Sequence, residues 1–386
     1  MEPPLPDAED RTGPASVLGL RLFLAGVAVA ICAAALGMAP DVVERLYAPW
    51  FGPEMARRLS LLTGWIPISV GALLAVATVG AGTVRVALGI RRLREGRPLR
   101  LVARDGANEL GGALGVFLVL FYPLWGLNYA RAPLDERLGL RTEAPADQNA
   151  LRSFAAVAAE ATNAAYRSLH GGASDIGRPT EQARDAATLS GHLEVGWGRL
   201  VESLSLSEAA GKRYGPAKER GATWLLESLD IAGIYVPFTG EATVNGAQPD
   251  LSLPAVVGHE QAHQRGIARE NEASFAGMLA AIHSEDPLAR YSGWARILRS
   301  LHYDLSVVDR DGAREIARSL HQGVRRDWEA YAEWLRASAS AAAPVVSATN
   351  DVYLRTHGVP DGVENYGRVS TLLLEWARRH DGFLAR

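Results

Sequence analysis

The sequence predicts a mainly α-helical protein in two parts: three N-terminal transmembrane helices, then a helical domain with a small β-hairpin beside its key helix. Three observations predict this class. Apolar runs near residues 17–39, 66–88 and 110–127 are each long enough to cross a bilayer. Beyond them, apolar residues recur at helical spacing. Residues 231–246 break that spacing with extended, turn-rich sequence just ahead of Gly258-His259-Glu260-Gln261-Ala262-His263.

Composition narrows the function classes. Hydrophobic residues make up 48% of 386 and are spread unevenly, as expected for a membrane part joined to a soluble part. The net charge of −3 gives no basic surplus for nucleic acid. Cys32 is the only cysteine and lies in an apolar run, so an internal disulfide and a cysteine zinc site are both excluded. Any metal must be held by histidine and carboxylate.

Residues 1–15 are rich in Pro, Asp and Glu and read as a disordered tail; residues 16–130 form the membrane domain. Arg21 lies near enough to the start of the first span to snorkel. A signal peptide is the competing reading of this span, but the acidic tail lacks a basic leading region and further spans follow. Tyr47, Trp50 and Phe51 among Pro, Gly and charges suggest that 40–59 is an interfacial loop. After the second span, Arg91, Arg92, Arg94, Arg97, Arg100 and Arg104 form a basic connection, which the positive-inside rule places in the cytoplasm. The third span ends in Tyr122, Trp125 and Tyr129, read as an aromatic belt. With three crossings of the cytoplasmic membrane, the N-terminus is inside and the rest of the chain faces the extracellular or periplasmic side.

Residues 131–146 read as a linker and 147–386 as the second domain. Asp147 is expected to cap a helix that runs to Leu169 and ends at Gly171-Gly172; a second helix is expected from Thr180 to about Leu206. Ile234 to Phe238 and Glu241 to Gly246 form the two arms of the hairpin around Thr239-Gly240. An edge hairpin there suits an extended peptide substrate, with Glu241 and Asn245 as candidate contacts; a hairpin that only packs on the core is the alternative. Pro254 suits the first turn of the helix carrying the histidines, which ends near Gly266, and another helix follows from about Arg269 to His283. Further helices fill 288–340 around a turn at Asp309 to Gly312, and residues 338–343 read as a frayed helix end or a loop. A Gly-rich turn, His357 to Gly362, precedes a last amphipathic helix.

Histidines four apart on a helix stand on one face and reach one metal ion. Catalytic zinc takes three protein ligands and keeps one position open. His259 and His263 supply two, and a carboxylate beyond Gly266 is expected as the third. Glu270 and Glu272 are the candidates, and on one helix they point roughly 200° apart, so only one faces the metal. Glu270 is preferred, because Ala273 and Gly277 share its face and let the helices approach; Glu272 is the alternative. Glu260 is placed as general base. Tyr353, His357 and Tyr366 are candidates to stabilise an oxyanion. His170, His192, His283, His302, His321 and His380 lack ligand spacing. The reading is a zinc peptidase acting on a protein or peptide; a membrane-tethered receptor or scaffold with a structural or vestigial metal site, and a zinc amidase with a non-peptide substrate, are the rivals. No feature of the sequence sets an oligomeric state.

The sequence is similar to a bacterial membrane family catalogued as domain of unknown function 3810. The resemblance is carried by Trp125-Gly126-Leu127-Asn128-Tyr129, Pro237-Phe238-Thr239-Gly240-Glu241-Ala242, His259 to Gly266 with Glu270-Asn271-Glu272-Ala273, Asn350 to Leu354, and Gly362-Val363-Glu364-Asn365-Tyr366. It implies a membrane-anchored, zincin-like metallopeptidase. Glu270-Asn271-Glu272-Ala273 also resembles the Glu-x-x-Ala element of glutamate zincins, which implies Glu270 as ligand. Asn365 departs from the family pattern, where a serine is commoner.

Overall fold

The computed structural model describes residues 14–142, 147–172, 176–182, 184–357, 359, 369–380 and 382. The acidic tail, apart from its last two residues, lies outside them, as does Tyr366.

Helices α1 (Pro14–Gly37), α2 (Pro40–Leu46), α3 (Gly52–Gly64), α4 (Val70–Arg94) and α5 (Leu99–Leu124) form the first part. Three stretches, Val17–Gly37, Val70–Arg94 and Leu99–Leu124, are long and apolar enough to cross a membrane. α1 and α5 pack closely through small residues: a methyl added at Gly26 would lie 2.7 Å from Gly115 Cα.

Two expectations need correction here. Residues 40–59 are mostly helical rather than a loop, with only 47–51 as a turn between α2 and α3, because Pro40 and Pro53 occupy first turns, where a missing N–H costs nothing. Tyr47 is buried, and its hydroxyl accepts a hydrogen bond from Asn128 Nδ2 at 3.2 Å. The arginine connection is a tight turn between α4 and α5, with Arg91, Arg92 and Arg94 in the last turn of α4 and Arg100 and Arg104 already inside α5. Hydropathy stops at the first charges, but arginine is a good helix former and the helices run on.

A 3₁₀ turn at Gly126–Ala130 and α6 (Leu134–Leu138) lead into the second part. Leu134 and Leu138 are buried in its core, so residues 131–142 are built into the fold rather than linking two pieces. α7 (Gln148–Leu169) starts at Asp147 as expected, whose carboxylate accepts from Asn149 N. α8 (Ala186–Leu200) begins later than expected: Asp185 caps it, accepting from Thr188 N at 2.8 Å, whereas Thr180 is held by Asp327 through both N and Oγ1 at 2.6 Å.

After α9 (Glu208–Gly211) and α10 (Thr223–Ser228) comes the only sheet among the described residues, strands β1 (Gly233–Val236) and β2 (Glu241–Val244). They pair antiparallel, Gly233 opposite Val244 and Val236 opposite Glu241. The remaining helices are α11 (Leu253–Gln264), α12 (Glu270–Ile282), α13 (Pro287–Val308), α14 (Arg310–Ser319), α15 (Gln322–Ser338), α16 (Ala343–Thr356) and α17 (Val369–Arg379). From Glu272 to Ile282, α12 is buried on every face. It is the central rod, packed by α8, α11, α13 and α17, and a helix apolar all round belongs there.

Candidate metal centre

The centre is built where α11 crosses the start of α12. A methyl at Gly258 would lie 2.8 Å from Gly277 O and one at Gly277 would lie 2.6 Å from His259 N, so the two backbones are in direct contact. Gly266, at φ +80°, turns the chain between the helices in a conformation that costs other residues strain. The result brings the first turn of α12 back beside both histidines.

His259 Nε2, His263 Nε2 and Glu270 Oε2 converge. The two ring nitrogens are 3.1 Å apart, and the carboxylate oxygen is 3.1 Å from His259 and 3.5 Å from His263. Ligands about 2.0–2.1 Å from a zinc ion at tetrahedral angles stand about 3.3 Å apart, so the three atoms match the face of such a site. Each imidazole is also oriented from behind. His263 Nδ1 donates to Ile267 O at 2.7 Å, and His259 Nδ1 is 3.1 Å from Ser274 Oγ. Spending Nδ1 on the protein leaves Nε2 of both rings for the ion, the usual outer-shell arrangement.

Glu272 points elsewhere: its Oε1 accepts from Leu134 N at 2.9 Å and faces Arg269. Glu270 is therefore the carboxylate that shares the cluster. Burial by itself would lower the His263 pKa, but the Glu270 charge and hydrogen bond outweigh it and hold it up at about 9. Burial raises Glu270, and the two histidines overcome this and leave it well below the usual carboxylate range. A compact negative charge between two rings is what a cation would meet.

Glu260 lies beside the cluster, 3% exposed, with Oε2 lacking a hydrogen-bond partner among the described residues. Burial raises its pKa to about 8. Gly233 of β1 covers it, since a methyl there would fall 2.6 Å from Glu260 Oε1. An orphaned buried carboxyl next to three convergent ligand atoms fits a metal centre with an adjacent proton acceptor, and the His-His-carboxylate donors suit zinc.

Of the other predicted residues, Tyr353 lines the same cleft; its hydroxyl accepts from Trp125 Nε1 at 2.9 Å, and burial pushes its pKa up to about 12. His357 packs at a tilt against Tyr353 at 4.5 Å and edge-on to Phe121 at 5.6 Å, outside the cleft lining. Glu241 and Asn245, expected at the substrate, are buried, the first at the start of β2 and the second just past its end. Glu241 pairs with Lys218 and accepts from Val70 N and Gly71 N at the start of α4, and Asn245 Oδ1 accepts from Ala247 N. Both carboxylate oxygens of Glu241 and the amide oxygen of Asn245 are used within the fold, and neither residue lines the cleft. The open strand edge is that of β1: β2 is bridged on its far side by Lys218, while β1 pairs only with β2 among the described residues.

Sequence reasoning missed the aromatic wall. Trp125 and Tyr129, read as a membrane belt, are buried, and the Trp125 ring stands edge-on to His263 at 5.4 Å. Their spacing after an apolar span resembles a belt, and only the fold brings them to the histidines. The cleft has a volume of about 1020 Å³, with His259, Glu260, His263 and Glu270 on one wall and β1, α16 and the end of α5 around them.

The family model described as protein of unknown function (DUF3810) matches residues 47–374, and the chain belongs to that family. No curated protein and no solved structure matches it.

Proposed function

We propose that this member of the DUF3810 family is a membrane-anchored zinc metallopeptidase that hydrolyses peptide bonds with Glu260 as general base. The observation that carries the reading is the convergence of His259 Nε2, His263 Nε2 and Glu270 Oε2 within 3.1–3.5 Å, beside the unpartnered Glu260 carboxyl and open to a large cleft. A structural metal site is closed by protein, whereas a catalytic one keeps a free position, and the adjoining cleft favours the second.

His259, His263 and Glu270 would hold the ion, which when bound acidifies water and polarises a carbonyl. Glu260 then takes the proton from the attacking water and delivers it to the leaving nitrogen. Its raised pKa suits a group that must hold a proton between those two events. Tyr353 offers a protonated hydroxyl at the cleft wall for the developing oxyanion. The free edge of β1 supplies backbone groups to align an extended chain, with Gly233 directly over Glu260.

The three apolar helices anchor the domain in the cytoplasmic membrane. The arginines of the α4–α5 turn belong on the cytoplasmic side by the positive-inside rule, which puts the cleft on the extracellular or periplasmic side. A reporter after Arg386 that is active only in the cytoplasm would overturn this topology. The function is tested on the full-length protein in detergent, by metal analysis under non-chelating conditions and by mass spectrometry of products from peptide and cell-wall libraries. Stoichiometric zinc is expected, with peptide products that form at least about 100-fold more slowly in Glu260→Gln while zinc is retained. Absence of zinc, or a Glu260→Gln protein as active as the parent, would sink the proposal; products from non-peptide amides alone would replace it with an amidase.

A further inference from the structure

The cleft does not stop at the soluble part. Phe117 and Phe121 of α5 line it together with the metal-centre residues, and Phe117 lies within the stretch long and apolar enough to cross a membrane. Phe238, at the tip of the hairpin, packs at a tilt against Phe117 with ring centroids 5.6 Å apart. Val236 covers Gly71, the second residue of α4. The hairpin therefore rests on the ends of two membrane-crossing helices, and its free edge starts at their level. The cleft rim is apolar and exposed there: Phe117 is 44%, Ile234 42% and Val345 68% accessible. Exposed Trp50 and Trp65, flanking α3 just before α4, place the membrane interface at the same end of the molecule.

Accepting the peptidase reading above, we propose that its substrates are polypeptides anchored in the same bilayer, admitted sideways from the membrane and cut close to their anchor. A soluble peptide would gain nothing from a groove whose floor is a transmembrane helix. A chain leaving the bilayer beside α5 would lay apolar residues on Phe117 and Phe121, then pair its backbone with β1 and meet Glu260. The reach is short. Phe117 precedes Trp125 by eight residues, about 12 Å of helix. The Trp125 ring is 5.4 Å from His263, so about five or six extended residues at about 3.3 Å each cover the path. Cleavage is expected within about ten residues of the point where the substrate enters the membrane.

The test compares protein N-termini in membranes containing either the parent or the Glu260→Gln protein. Termini that depend on Glu260 should cluster within about ten residues of a membrane span or a lipidated end. Two tethered reporters then carry one identified cleavage sequence at equal surface density in proteoliposomes, either about 8 or about 40 residues from the anchor. The near site should be cut at least tenfold faster. Glu260-dependent sites in soluble domains, or equal rates on the two reporters, would overturn this inference and leave the peptidase standing. An absence of any Glu260-dependent terminus would overturn both.

Discussion

Gly233→Ala isolates the role of Glu260 without touching a ligand. A methyl at this position would lie 2.6 Å from Glu260 Oε1, 2.9 Å from Cγ and 3.0 Å from Cδ. Ordinary contacts begin near 3.4 Å, so the carboxyl must retreat by roughly half an ångström to one ångström, which in a positioned active site costs about 10- to 100-fold in rate. The carboxyl can yield because Oε2 has no partner holding it. Turnover of any substrate identified as above is therefore expected to fall 10- to 100-fold, about 1.4–2.7 kcal/mol in the barrier, with KM changed less than about threefold. Zinc content should stay stoichiometric, since no ligand is displaced. In a Glu260→Gln background the same methyl should cost little more, because the group it disturbs is already disabled. Unchanged turnover in the single variant, or a loss that multiplies fully with that of Glu260→Gln, would refute the placement of Glu260 as the base.

Burial raises the folded pKa of Glu260 from 4.5 to about 8, so the folded chain keeps a proton that the unfolded chain releases across that window. The metal-free protein should lose stability as pH rises through it, and Glu260→Gln should gain in chelator-treated melts, more at pH 8 than at pH 5; an equal gain at both would contradict the shift. Glu270→Gln should weaken zinc binding by at least about 100-fold, whereas Glu272→Gln should keep zinc and lose about 1–3 kcal/mol of stability through Leu134 N and Arg269, as read by metal titration and denaturant melts; the reverse pattern would exchange the two glutamates. Lys218→Met leaves the buried Glu241 carboxyl without its cation at the start of α4 and should cost about 3–5 kcal/mol of unfolding free energy; a neutral result would mean that the pair is not a brace.

What the sequence made legible was local. Two histidines four apart, a glycine, and two glutamates on opposite sides of a helix contain the geometry of the cluster in adjacent turns. Pro237 and Gly240 likewise mark the hairpin, and Asp147 its helix, through the backbone conformations they favour. The errors fall where the deciding partner is far along the chain. Thr180 and Asp185 are both good caps, and Asp327, remote in sequence, claims the first. Glu241 has the polarity of a substrate contact until Lys218 and the first turn of α4 take its oxygens. Trp125 has the composition of a membrane belt, and no local pattern announces that it faces His263.

Those distant contacts also join the apolar helices and the candidate metal centre into one unit. Arg131, just past α5, donates to Gly266 O at 3.2 Å, and a methyl on Gly266 would lie 2.8 Å from Asn128 Oδ1, so the turn joining the two ligand helices rests on the end of the third apolar helix. Trp125 packs on His263 from the same segment. Glu241 ties β2 to the first turn of α4, and the register of β1 over Glu260 follows from that attachment. Removing the membrane part would strip support from the histidine pair, the turn after it and the strand above it together. A tether whose only task was to hold an enzyme at a surface would need none of these contacts. Their presence ties the candidate metal centre to the apolar helices, so the proposed activity is to be measured on the chain with those helices in place.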